Sequence, residues 1–568
     1  MAEAGLLPVA AWLGPALAPL AAMAFLARRR GMALLPIAAL PALVVALWVP
    51  DGQVDLPGLL LGSRLGVDAV NRIFLLFTAA LWLAAGLHAT GYFRDDARRV
   101  GFGRFWLAAM AGNLGLVLAQ DAASFYVFFA LMSFASYGLV VHARTPEAMR
   151  AGRVYIALVV LGELALFAAI AIAWQATGSL YFDAMPALAH APQRDAVIAL
   201  ALVGFGIKLG AVPLHVWLPL AHPAAPAPAS AVLSGAMIKA GLLGWINLLP
   251  LGGAAEPGWG LVLIALGLVA AAGGALVGAM QATAKAALAY SSISQMGYVV
   301  VAVGTAMTAP GAAPAAVAAA SLYAFHHAFA KAALFLGCAM SGASGRWGRR
   351  AWCAGMLVAA LALAGAPLSS GYAAKAALKA ALKAALPGGL EALAAALALA
   401  AAGTVLLMLR LGGLLYDDAR RASHAPNAAM WTGFGLLVAG TLAGWALVGS
   451  ARDMVPADAS SILGAVAPLL VGPAAGALLV ALVKRLPRLA ALRVPAGDVI
   501  IPVLNAVARV GRRARVQVHR PRAHLRPPTV PQWPALESAE AGFATRTRLL
   551  LALIFIVLIA TLLAHAWT

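Results

Sequence analysis

Along this chain the apolar positions gather in long, nearly uninterrupted runs, with neither the alternation of a half-buried strand nor the single stripe of a soluble helix. A bilayer core is spanned by about 20 mostly apolar residues in a helix. Sixteen runs meet that length: 6–27, 32–50, 66–90, 104–120, 122–142, 154–175, 196–219, 229–250, 258–280, 286–307, 314–340, 352–384, 388–415, 429–450, 461–483 and 548–567. The pattern predicts an all-α polytopic membrane protein of about 16 transmembrane helices. Composition agrees: 63% of the 568 residues are hydrophobic and 11% charged, against roughly 45–50% and 25% in soluble domains, so a soluble protein is excluded. The first run follows a weakly acidic stretch rather than a basic one, and is read as a retained helix, not a cleaved signal.

Alternating crossings require basic residues to collect in every second loop. Fifteen arginines do so: Arg28, Arg29 and Arg30; Arg94, Arg98, Arg99 and Arg104; Arg144, Arg150 and Arg153; Arg346, Arg349 and Arg350; Arg420 and Arg421. The opposite loops hold only Arg64, Arg72, Arg194 and Arg452. The arginine loops are therefore assigned to the cytoplasm, and both termini to the outside of the cell inner (plasma) membrane. The formal charge of +20 is thereby mostly topology, and no nucleic-acid partner is expected. From Lys484 to Arg526 eleven basic residues stand against one acid, Asp498. That stretch reads either as a basic linker or as an interfacial strap on lipid head groups or a neighbouring subunit.

Lysine is distributed differently from arginine. Of eight lysines all but Lys484 fall within or at the ends of the runs, whereas of 32 arginines only Arg410 sits well inside one. Arginine stays protonated, but a buried lysine can exchange its proton, so a row of intramembrane lysines reads as a proton path. Lys208, Lys239, Lys331 and Lys375 lie deepest; Lys285, Lys379 and Lys383 lie near run ends, where snorkelling explains them equally well. Lys375, Lys379 and Lys383 repeat every fourth residue as one stripe. Each buried charge needs a partner, water or neutrality. Glu163, the one carboxylate near the middle of a run, is expected to pair with Lys208; a protonated Glu163 in an interhelical hydrogen bond is the alternative.

His326, His327 and Lys331 share a run, with His327 one turn before Lys331. Imidazole bridges proton steps near neutral pH, and two adjacent histidines without an acid or cysteine nearby make a poor metal site. Two runs are interrupted: Pro213 and Pro219 follow Lys208 in the seventh, and Gly365, Pro367 and Gly371 precede Lys375 in the twelfth. Broken helices survive in a membrane only against protein or water, and two of them five runs apart suggest related halves. Cys338 and Cys353 are too few for an iron-sulfur cluster, so no cofactor is expected on this chain and any redox chemistry falls to a partner.

The segments GFGIKLGAVPLHVWLPLAHPAAPAPASAVLSGAMIKAGLLG, AKAALAYSSISQMGYV, YAFHHAFAKAALFLG and GAPLSSGYAAK, in that order, resemble the antiporter-like proton-translocating subunits of complex I, Mrp-type cation/proton antiporters and group 4 hydrogenases. The wording WLPLAHPAAPAPAS with ALMSFASYGLV is most similar to hydrogenase-4 component B and the formate hydrogenlyase membrane subunit. The resemblance covers roughly residues 65–420. It implies fourteen core helices in two inverted five-helix repeats, with helices 7 and 12 broken. The implied division is N-terminal helices 1–3 (1–103), a first antiporter-like repeat (104–250), a second (258–415), C-terminal helices (429–483), a basic cytoplasmic segment (484–547) and a final helix (548–567).

The resemblance places the family's seventh-helix lysine at Lys208, its eighth-helix lysine at Lys239, its eleventh-helix His/Lys at His327 and Lys331, and its exit residue at Lys375. The family's fifth-helix glutamate is absent: Ala130 stands there, in FFALMSFASY. Glu163, one helix later, is the carboxylate read as replacing it. The implied function is a proton relay through Glu163, Lys208, Lys239, His327, Lys331 and Lys375. It would be driven by a peripheral electron-transfer module, in a complex with other membrane subunits embedded in the lipid bilayer. The alternatives are an Mrp-like cation/proton antiporter, a membrane subunit for inorganic-carbon uptake, and a non-pumping scaffold.

Overall fold

The computed structural model describes residues 6–28, 30–386, 388, 390–421, 425–447 and 459–485. The basic segment from 486 onward, the last predicted span and both termini lie outside them. The helices are α1 (Leu6–Met23), α2 (Leu34–Ile37), α3 (Leu40–Trp48), α4 (Ala69–Tyr92), α5 (Arg99–Leu118), α6 (Ala122–Val140), α7 (Pro146–Thr177), α8 (Arg194–Leu209), α9 (Leu218–Ala224), α10 (Ala227–Val232), α11 (Lys239–Leu248), α12 (Pro257–Ala279), α13 (Ala284–Thr308), α14 (Ala313–Cys338), α15 (Gly345–Ala364), α16 (Ser370–Ala385), α17 (Leu390–Arg421), α18 (Ala428–Leu447) and α19 (Ala459–Arg485). Among the described residues nine helical stretches are long and apolar enough to cross a membrane. Their order follows the predicted runs.

The chain is not purely helical. Strands β1 (Gly52–Leu56) and β2 (Ser63–Val67) form an antiparallel hairpin with Asp55 opposite Arg64. Val54 and Leu56 point inward while Asp55 points out, the alternation a half-buried strand requires. The run starting at 66 therefore opens in a strand. Its helix starts only after Asp68, whose carboxylate accepts from Val70 N and Asn71 N at 2.8 Å, an N-cap.

The seventh and twelfth spans break in the same way. α8 ends at Gly210, φ +76°, with Gly210 N bonded to Ile207 O and Ala211 N to Gly206 O. α15 ends at Gly365, φ +82°, with Gly365 N bonded to Ala362 O and Ala366 N to Leu361 O. Both are Schellman caps, which need a residue tolerant of positive φ. A third irregularity lies between α10 and α11, where residues 233–237 form a π turn closed by Ile238 N to Leu233 O at 3.2 Å. Such turns leave carbonyls without their usual donors.

Helix α13 is the axis of the second half, buried along its whole apolar window and packed between α12 and α14. Small residues permit this. A Cβ on Gly267 would meet Gly297 O at 2.6 Å and one on Gly304 would meet Gly260 O at 2.6 Å, the close backbone approach by which membrane helices associate.

Candidate functional site

The first polar centre lies where α7 and α8 touch. Gly162 and Gly204 face each other there: a Cβ on Gly204 would lie 2.9 Å from Gly162 O. That approach brings Glu163 and Lys208, 5% and 3% exposed, to the walls of one cavity with Ser133, Tyr155 and Trp217. Lys208 Nζ donates to Ser133 Oγ and to Tyr155 OH, both at 3.2 Å. Tyr155 OH in turn donates to Ser133 O at 2.9 Å. Both Glu163 carboxylate oxygens are buried without a hydrogen-bond partner. The expected Glu163–Lys208 contact is thus not made in this conformation, because Lys208 is drawn to the two hydroxyls. The cavity has about 10 Å³ open to a water centre, on the order of the space one water needs. Ala130 is half-buried on α6, one turn before Ser133.

The second centre lies between α11 and α14. Lys239 Nζ donates to Ser234 O, in the π turn, at 2.5 Å and lies 2.6 Å from His327 Nδ1. The bulge in the helix therefore supplies the lysine's acceptor. Lys331, one turn beyond His327, donates to Leu288 O on α13 at 2.8 Å. Lys239, His327 and Lys331 are all fully buried. Ser234 Oγ and Ser292 Oγ lie 2.8 Å apart beside them.

The third centre is the second break. Lys375 Nζ donates to Leu363 O at 3.3 Å and Ala364 O at 2.8 Å, satisfying the last carbonyls of α15, and sits 5.4 Å from the Tyr298 ring centroid. Tyr298 stacks on Tyr323 at 5.3 Å, and Tyr323 meets His326 edge-on at 5.9 Å. His326 Nδ1 lies 2.9 Å from Ser370 Oγ. An aromatic pair thus runs from Lys375 to His326. Lys379 and Lys383 are exposed, so the predicted three-lysine stripe splits: Lys375 turns to the break and the other two face outward.

Glu163 and Lys208 share a cavity, and Lys239 and His327 are in contact; Lys331 and Lys375 each bond main-chain carbonyls. Ser133, Tyr155, the Gly162/Gly204 approach and the π turn escaped sequence reasoning, because hydroxyls, glycines and aromatics are common in apolar helices and carry no charge signal. Among the described residues no group of three or more His, Cys, Asp and Glu is placed to hold a metal.

The family described as NADH:quinone oxidoreductase/Mrp antiporter, transmembrane, matches residues 119–402, which contain every residue of these centres. Hydrogenase-4 component B of Escherichia coli (strain K12) is 32% identical over 287 residues, 48% of this chain and 42% of that protein. The chain thus spans less than half the length of that curated relative. A chain of the membrane-bound sulfane sulfur reductase, an archaeal respiratory membrane complex, superposes with a TM-score of 0.65 at 25% identity, over 76% of this chain and 75% of that one. A chain of the Mrp complex from Dietzia sp. DQ12-45-1b shares the fold with a TM-score of 0.73 at 23% identity, over 96% of this chain and 62% of that one. With half of its length matched and its polar centres inside the match, this chain belongs to the NADH:quinone oxidoreductase/Mrp antiporter family of integral membrane proteins.

Proposed function

We propose that the chain is a proton-translocating membrane subunit of a complex I-like or group 4 hydrogenase-like oxidoreductase complex. It would carry no redox cofactor itself and be driven by a peripheral electron-transfer module. The observation that carries this is the row of titratable side chains held inside the membrane: Lys208, Lys239, His327, Lys331 and Lys375, with Glu163 beside the first. Each such charge costs about 2.5–3.5 kcal/mol at the bilayer centre on insertion scales, so a chain that keeps them uses them. In the proposed cycle a proton from the cytoplasm rests on Lys208, passes to Lys239 and His327 or Lys331, and leaves by Lys375 to the outside. Lys208 moves between the Ser133/Tyr155 hydroxyls and the Glu163 carboxylate, and that movement times the transfer.

The matching caps at Gly210 and Gly365 support two inverted repeats within the sixteen-helix, inner-membrane topology, both termini outside. The domain division is part of this proposal. Glu163→Gln in membrane vesicles holding the assembled complex is expected to abolish coupled proton movement, and wild-type coupling in that variant would refute the assignment. Ala130 favours a second reading, a scaffold that does not pump; it predicts unchanged coupling in Lys208→Ala.

A further inference from the structure

Helix α15 has one packed face and one open face. Trp352, Gly355, Met356, Ala359, Ala362 and Leu363 are buried, and the helix packs on α14, α17 and α18. Trp352 Nε1 donates to Gly337 O at 2.9 Å, which holds the helix in that rotation. On the opposite face, at spacings of three and four residues, stand Arg346, Arg349 and Arg350, then Cys353, then Leu357 and Leu361, all exposed. Gly345, Cys353 and the three arginines line an open hollow of about 620 Å³.

The arginines are not satisfied by the protein. The first turn of α15 holds no acidic residue, and among the described residues no carboxylate or carbonyl pairs with Arg346, Arg349 or Arg350. Arg346 and Arg350 instead flank the Trp347 ring at 5.8 Å and 5.5 Å, and that ring is 76% exposed. Other arginines of the same side of the molecule do find acceptors: Arg98 donates to Ala143 O at 3.4 Å and Arg99 to Arg94 O at 2.7 Å.

Three unpaired guanidinium groups around one hollow call for an anion, and their forked donors match phosphate. The residues that follow decide its source. Arg350 and Leu361 are eleven residues apart, about 17 Å along a helix, or roughly half of the 30 Å hydrocarbon core. Cations at one end of a leaflet's depth of exposed leucine trace the outline of a phospholipid, whereas free phosphate would leave the leucines unused. Trp347 is the amphipathic ring that sits at head-group level. The chain's own stretch from Lys484 to Arg526, with eleven basic residues and one acid, has the wrong sign to cover arginines.

We propose that the open face of α15 binds one anionic phospholipid, its phosphate held by Arg346, Arg349 and Arg350 and an acyl chain lying along Leu357 and Leu361. The site is separate from the proton relay and does not depend on it. The helix that seats the lipid is also the one whose Leu363 and Ala364 carbonyls take Lys375 at the second break.

The test is native mass spectrometry of the assembled complex, stripped of loosely held lipid and titrated with phosphatidylglycerol, phosphatidylcholine or inorganic phosphate. Subunit content and thermal midpoint are read in the same samples. A basic residue near an anionic lipid surface contributes about fivefold in affinity. Arg346→Gln/Arg349→Gln/Arg350→Gln is therefore expected to weaken the binding of one phosphatidylglycerol by about 100-fold, and Arg349→Gln by about fivefold should the triple variant fail to assemble. Leu357→Ser is expected to weaken it as well, which a site for free phosphate would not show. Wild-type retention of phosphatidylglycerol in the arginine variants overturns the proposal, and so does an equal loss in Arg98→Gln/Arg99→Gln, which would reflect surface charge in general. Displacement of phosphatidylglycerol by inorganic phosphate would make the hollow a simple anion site and overturn the lipid assignment. Loss of a subunit from the triple variant, with lipid retention unchanged, would assign the face to an acidic protein partner instead.

Discussion

In the proposed gate the Ser133 hydroxyl is one of two that hold the Lys208 ammonium, and Ser133→Ala removes it without touching a charged residue. In the structure Lys208 has two hydroxyl partners, Ser133 Oγ and Tyr155 OH, each at 3.2 Å, while the Glu163 carboxylate across the cavity is unbonded. A hydrogen bond to a charged group contributes about 1.5–3 kcal/mol. Loss of one of two such bonds therefore shifts the balance between the hydroxyl side and the Glu163 side by about 10–100-fold, at about 1.4 kcal/mol per decade. A gate that must visit both sides in each cycle slows by a comparable factor once one side is that rarely occupied. The assay is dye-monitored acidification of inverted membrane vesicles holding the assembled complex, with the amount of this chain normalised by quantitative mass spectrometry. Tyr155→Phe, which removes the other hydroxyl, is expected to act in the same direction. If Ser133→Ala and Tyr155→Phe each pump at the wild-type rate with wild-type abundance, the two-sided movement of Lys208 is refuted.

Gly204→Val places a Cβ 2.5 Å from Leu166 Cδ2 and 2.9 Å from Gly162 O; overpacking of about 1–3 kcal/mol is expected to lower the thermal midpoint in detergent and reduce pumping together. Lys375→Met leaves the Leu363 and Ala364 carbonyls without their lysine donor; about 1–3 kcal/mol of destabilisation, read by thermal unfolding, is expected along with loss of proton release. At the arginine-loop side Asp96 Oδ2 lies 2.9 Å from His142 Nε2. Burial pushes the Asp96 carboxyl up, but the hydrogen bonds from His142 and from Arg98 N outweigh it and hold it below its ordinary value of 3.8. A depressed carboxylate stabilises above that ordinary value and loses its contribution as pH falls through the lower folded one. The thermal midpoint of the wild type is thus expected to exceed that of Asp96→Asn at pH 7 and to converge on it below about pH 3.8; a pH-independent gap would contradict the pairing.

The helix order was legible in the sequence because hydropathy reports burial in lipid directly. Segregation of lysine from arginine singled out Lys208, Lys239, Lys331 and Lys375 for the same reason: a charge inside an apolar run stands out against its neighbours. What hydropathy does not encode is which faces meet. The hairpin was hidden because Val54, Leu56, Leu65 and Val67 border an apolar run and blur into it. The orientation of Lys208 depends on Ser133 and Tyr155, two helices and one helix away along the chain, and on glycines whose meaning lies only in the opposing backbone.

The two helix breaks share their main-chain caps yet differ in what completes them. In the first, Trp217 Nε1 donates to Ile207 O at 2.7 Å, a fixed ring that holds the end of α8 whatever Lys208 does. In the second the donor is Lys375, the residue from which the proposed relay releases its proton. Displacement of that ammonium takes two hydrogen bonds from the end of α15 in the same motion that carries charge away. Under the proposed relay, discharge of Lys375 and loosening of a helix end would be one event in the second half, while in the first half the two would fall on separate residues, Trp217 and Lys208.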